Sequence, residues 1–136
     1  MLLEYLLPFL VKWLVANSDY KDNKLNLKVN IVSVQEVQEK ACAGKCPIIA
    51  FYDKNKGIFI KDMDFKDLCN QSILLHEIVH AFQDHETKNL TYPFREKEAY
   101  EIQNKFLENI SKEKNFYEIL SIKKCRSIQF YKESKN

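Results

Sequence analysis

Glycine and proline are scarce in this chain, two and three residues among 136. That scarcity excludes a collagenous, loop-rich or low-complexity protein. An excess of charge of one sign is missing as well. Lysine and arginine number 21 against 19 aspartates and glutamates, leaving +2, and the lysines are scattered rather than gathered on one face. A nucleic-acid partner is therefore not expected. Nor is there an uninterrupted apolar run of the roughly 20 residues needed to span a bilayer. The N-terminal stretch MLLEYLLPFLVKWLVAN comes nearest. Glu4 stands where a signal sequence carries positive charge, Pro8 and Lys12 interrupt the run, and no A-x-A-like cleavage site follows. The expectation is a chain with no integral membrane segment, either cytoplasmic, or secreted or periplasmic if a signal was removed upstream.

What is present is an ordinary globular balance, 46% hydrophobic and 29% charged, over a length that holds one core and not two. No internal repeat or linker divides it, so residues 1–136 are read as a single domain. Four cysteines stand at Cys42, Cys46, Cys69 and Cys125. The first two are one residue further apart than a CxxC knuckle, within the range of structural zinc pairs. Reduced thiols, disulfides in any of three full pairings, and a second metal site all remain open.

Hydrophobic periodicity predicts a first helix over 2–16, apolar around much of its circumference. Alternation and β-branching over Leu27–Val34 predict a half-buried strand. A short helix over 35–41 leads to the cysteine pair. Two apolar runs, Ile48–Tyr52 and Gly57–Ile60, flank the polar tetrad Asp53-Lys54-Asn55-Lys56 and predict a hairpin. Long helices follow over 65–86 and 94–110, the second with Thr91 as candidate cap and Pro93 in its first turn, then a last helix over 115–131. The order predicts one α+β domain.

The chemistry is concentrated in His76-Glu77-Ile78-Val79-His80, an HExxH pattern. At about 100° and 1.5 Å per residue, His76 and His80 lie one turn apart on one helix face, where two imidazoles can share a metal ion. Glu77 lies close enough to take a proton from a water on that ion, whose pKa zinc lowers to about 7. Shuffling this composition produces such a motif only about once in two hundred trials. The surroundings add weight. Leu74, Leu75, Ile78, Val79, Ala81 and Phe82 fall on one arc of the wheel. Ser72, His76, Glu77, His80, Gln83 and Asp84 fall on the other, with Ile73 the apolar exception. The alternative, two solvent-facing histidines on an amphipathic helix, leaves unexplained why two of three histidines flank a glutamate at this spacing.

A catalytic zinc usually takes a third protein ligand. Gln83 and Glu86 do not fit the metzincin extension, and His85 lies on the wrong side of a continuous helix. Glu96 and Glu98 remain, in the next helix. Glu96 shares the packed face of Ala99, Tyr100, Ile102, Gln103, Phe106, Leu107 and Ile110, where a carboxylate needs a partner. Glu98 falls among Glu101, Lys105 and Glu108 and is read as an ordinary solvated charge.

The segment LLHEIVHAFQ…REKEAYEIQNKFL resembles the gluzincins of the zincin superfamily, in which HExxH is followed one helix later by E-x-x-A carrying the third ligand. Glu96-Lys97-Glu98-Ala99 fits that element. The cysteine pair, the strand after it and RExEAYxxQ resemble small bacterial HExxH proteins. The resemblance implies a zincin-like fold, one Zn2+ ion held by His76, His80 and Glu96, Glu77 as general base, and a peptide or protein substrate. It further implies an edge strand along the cleft, for which Gly57–Ile60 is the candidate. Tyr100 stands where many gluzincins carry aspartate. The carboxylate that orients a histidine is then sought among Asp62, Asp64, Asp67 and Asp84. Tyr92, Arg95, Tyr100 and Tyr117 are candidate donors to an oxyanion. A rival reading is a catalytically silent zinc-binding sensor or interaction module. The small size also admits a protein partner that completes the cleft.

Overall fold

Alternating side chains on one short strand organise the molecule. In β3, Gly57–Lys61, Ile58 and Ile60 are fully buried in the main core while Phe59 points to the other face, as the two-residue period of a strand requires. Phe59 stacks on Phe51 and lies under the ammonium of Lys40. The computed structural model describes residues 3–22, 24–43, 48–112 and Cys125.

Among the described residues the elements are α1 (Leu3–Asn17), β1 (Val29–Val32), α2 (Val34–Cys42), β2 (Ala50–Asp53), β3, α3 (Leu68–His85) and α4 (Tyr92–Ser111). They form one small α+β unit with a three-stranded mixed sheet in the order β1-β3-β2. β2 and β3 are the expected antiparallel hairpin, Ala50 opposite Ile60 and Asp53 opposite Gly57. The Asp53 carboxylate accepts from the amides of Asn55 and Lys56 and closes the turn. β1 lies parallel to β3 on its other side, Val29 opposite Ile58. Gly57, at φ +98°, permits both arrangements: a Cβ there would come within 2.4 Å of the Lys28 carbonyl.

This topology corrects one expectation. Gly57–Ile60 is not an edge strand; both its sides are taken, and among the described residues the edges are β1 and β2. The pairing that buries it joins residues far apart in sequence through a crossover, which local pattern does not reveal. β2 is the strand that packs most on α3.

Helix starts follow side-chain caps. Ser33 accepts from the Glu36 amide and starts α2 at Val34. Asp67 accepts from the amides of Cys69 and Asn70, which delays α3 to Leu68 rather than Phe65. Thr91 occupies the cap position of α4, with no side-chain bond, and Pro93 sits in its first turn. The helix expected over 115–131 lies outside the described residues, Cys125 apart.

α1 buries Leu6, Leu10 and Leu14 completely, a one-turn repeat facing α3, and Trp13 meets Phe106 of α4 edge to face. From α3 come Leu74, Leu75, Ile78, Val79 and Phe82, and from α4 Ala99, Phe106 and Leu107, all buried. Cys69 at the start of α3 is disulfide-bonded to Cys125, and Cys42 is disulfide-bonded as well. The thiol and second-metal readings thus give way for these three. Among the described residues no helix is long and apolar enough to cross a membrane.

Candidate metal centre

The polar arc of α3 is not a solvent face. Ser72, His76, Glu77, His80 and Gln83 are all less than a tenth exposed, because α4 packs along them. Their polar atoms must therefore find partners within the protein, and most of those partners lie on α4.

His76 and His80, one turn apart, bring their Nε2 atoms to 3.2 Å. Glu96 closes the triangle: its Oε2 lies 3.1 Å from His76 Nε2 and 3.2 Å from His80 Nε2. All three groups lie within 4.8 Å of one another. A tetrahedral ion with bonds of about 2.0–2.1 Å separates its ligand atoms by about 3.3 Å, so the observed spacing fits a single ion. Three protein ligands leave a fourth position open. His85 is exposed and stands apart from the cluster.

The remote imidazole nitrogens reinforce this fit. His76 Nδ1 lies 3.0 Å from Gln103 Oε1, and His80 Nδ1 lies 2.8 Å from Gln83 Oε1. The orientation of each amide is set by its other end. Gln103 Nε2 donates to Ser72 Oγ, and Gln83 Nε2 donates to the Arg95 carbonyl and to Glu98. Each Oε1 is therefore an acceptor, and each Nδ1 must carry its hydrogen. Both Nε2 atoms are then left to the cluster, where with the Glu96 carboxylate they require a shared positive charge. A proton or a metal ion can supply it.

The electrostatics agree. Burial would raise the Glu96 carboxyl, but hydrogen bonds from His76 and His80 outweigh it and hold the group well below the usual carboxylate range. Burial would lower His80, yet Glu96 and Glu77 raise it. Glu77 is pushed up chiefly by its burial, against the pull of His76 and His80. A buried carboxyl with a raised pKa beside a metal-competent cluster is a candidate for proton transfer.

Three sequence expectations need correction or completion. None of the aspartates proposed to orient a histidine does so. Asp67 caps α3, Asp64 accepts from the Lys66 amide in the turn before it, Asp84 pairs with Arg95 at 2.8 Å, and the Nδ1 partners of the two imidazoles are Gln103 and Gln83 rather than Asp62. Glutamines take that place; being uncharged, Gln83 and Gln103 gave no sequence signal beyond lying on the polar arc of α3 and the packed face of α4. Glu98 is not a free surface charge. It accepts from Tyr20, Gln83 and Lys88, and these bonds lower its pKa against the effect of burial. Tyr20, 78 residues away in sequence, could not be tied to it by periodicity. Of the candidate oxyanion donors, Arg95 is engaged by Asp84, Tyr100 tilts its ring on His76 at 4.5 Å between centroids, and Tyr92 is exposed one turn before Glu96. Tyr117 lies outside the described residues.

A family model described as a domain of unknown function, DUF6647, matches residues 3–131. The chain belongs to that family, whose description assigns it no activity. No curated protein and no solved structure matches the sequence.

Proposed function

We propose that this chain is a zinc-dependent hydrolase of the gluzincin type, a metallopeptidase on a small zincin-like scaffold. One observation carries the reading: two histidines from one turn of α3 and a glutamate from α4 converge at 3.1–3.2 Å, with a buried glutamate next in sequence to the first. His76, His80 and Glu96 would hold the ion, and two imidazoles with a carboxylate suit zinc. Such an ion, when bound, polarises a carbonyl and brings the pKa of a coordinated water to about 7.

The remaining work falls to the chain. Glu77 takes a proton from the attacking water as its oxygen adds to the peptide carbon, then returns it to the leaving nitrogen as the C–N bond breaks. Burial favours this role by pushing its carboxyl above the usual carboxylate range, which strengthens it as a base. Tyr92, at the start of α4 and one turn from Glu96, would be the donor to the carbonyl oxygen. The exposed rings of Tyr92 and Phe94 suit an apolar side chain of an extended peptide, and the edge of β2 offers backbone groups to pair with it. The described residues form a small body, so either a narrow substrate range or a partner completing the cleft is expected. Disulfide-bonded cysteines favour an oxidising compartment.

Metal content and cleavage of an unfolded protein such as casein test the reading together. Stoichiometric zinc that disappears in a His76→Ala, His80→Ala pair, with cleavage lost in Glu77→Gln, is the expected result. Zinc without turnover on any peptide library would turn the reading to a silent sensor. Absence of zinc from the native protein would refute both.

A further inference from the structure

The outer partners of the two histidines are amides, where a carboxylate or backbone carbonyl is the more frequent partner of a metal-binding imidazole. We propose that Gln83 and Gln103 are positioning residues that preset His80 and His76 for metal, and that Glu98 is the reason position 83 must be an amide. The proposal rests on the metal-binding reading of the cluster and is independent of peptide cleavage.

An amide offers an acceptor at one end and donors at the other. At position 83 both ends are used. Oε1 accepts from His80 Nδ1, while Nε2 faces two acceptors, Arg95 O at 3.1 Å and Glu98 Oε1 at 3.0 Å. Glu98 is held in place, because Tyr20 donates to the same Oε1 and Lys88 to Oε2. A carboxylate at position 83 would set two anions face to face and leave the Arg95 carbonyl without its donor. The side chain is fully buried, so water cannot relieve the conflict. Position 103 differs. Among the described residues its Nε2 meets only Ser72 Oγ, at 3.1 Å. A hydroxyl can turn to donate to a carboxylate, giving up its bond to the Cys69 carbonyl. One exchange, glutamine to glutamate, is thus disruptive at one histidine and tolerated at the other. Glu98 touches neither imidazole; its influence passes through Gln83.

The test measures zinc affinity of the full chain by competition with a chromophoric chelator, together with proton NMR of the zinc-loaded protein for the two imidazole Nδ1–H signals. Gln83→Glu is expected to weaken zinc by about 10–100-fold and to lose the His80 Nδ1–H signal of the neutral ring, while Gln103→Glu stays within a few-fold of wild type and keeps both. Adding Glu98→Gln to Gln83→Glu restores one amide and one carboxylate, and is expected to recover affinity and signal. A merely structural role would not be rescued in this way. If Gln83→Glu fails to fold, the double variant and Gln83→Met carry the comparison, the first near wild type and the second weakened without the His80 signal. Equal zinc affinity across folded variants, or a double variant no better than the single, would overturn the proposal alone. Wild-type protein that takes up no zinc would overturn the metal reading and this proposal with it.

Discussion

The two long faces of α3 are equally dry and chemically opposite. One buries Leu74, Leu75, Ile78, Val79 and Phe82; the other buries Ser72, His76, Glu77, His80 and Gln83. The apolar face needs only shape, because each side chain removed from water stabilises the fold by about 1.5–3 kcal/mol. The polar face gains little from burial and must satisfy each group it hides. For Ser72, His76, His80 and Gln83 it does so largely with groups from α4 and with one another, and its two histidines turn their remaining nitrogens on Glu96. Stability resides mainly on one side of the helix and chemistry on the other, so the two should be separable by substitution.

The largest expected effect breaks the polar face alone. His76→Ala with His80→Ala removes two of the three proposed ligands, and zinc binding is expected to vanish in a chelator competition while far-UV circular dichroism persists. Glu77→Gln should leave zinc content unchanged and lower peptide cleavage by about 10²–10⁴-fold, the range for loss of a general base. Full activity in that variant would remove Glu77 from the mechanism. The converse is Leu75→Ala on the apolar face. It should cost about 2–5 kcal/mol in urea unfolding and leave the zinc affinity of the folded protein unaltered. A parallel loss of both would mean that the faces are not independent.

The smallest effect sharpens the comparison through pH. Glu98 has a folded pKa below its ordinary 4.5, since its hydrogen bonds from Tyr20, Gln83 and Lys88 outweigh burial. A depressed carboxyl contributes stability that is present above the unfolded pKa and lost as pH falls through the folded one. Glu98→Gln should therefore flatten the acid limb of the stability–pH curve below about pH 4.5, with little change near neutrality. An unchanged acid limb in urea titrations would show that the network contributes nothing there.

Much of the apolar side was legible in the sequence, because periodicity reports directly on burial. The separation of arcs on α3 and the place of Glu96 on the packed face of α4 came from spacing alone, as did the β2–β3 hairpin, whose pairing is local. Features that depended on distant partners were hidden. The parallel pairing of β1 with β3 depends on a crossover through α2. The engagement of Glu98 depends on Tyr20, and the choice of glutamines over aspartates as histidine partners depends on how α4 lies across α3. A polar residue on a helical wheel reads as solvated until another helix covers it, which is why Glu98 was misjudged and Gln83 passed over.

The bond between Cys69 and Cys125 spans 56 positions, and His76, His80 and Glu96 all fall inside the ring it closes. By chain-entropy reasoning such a closure restrains the unfolded chain by about 4 kcal/mol. It also makes the turn between α3 and α4 dispensable as a covalent link. A protease cutting once after Lys88 would leave two pieces that migrate together until a reductant is added. The nicked molecule would still keep both helices tethered, with the histidines on one piece and Glu96 on the other.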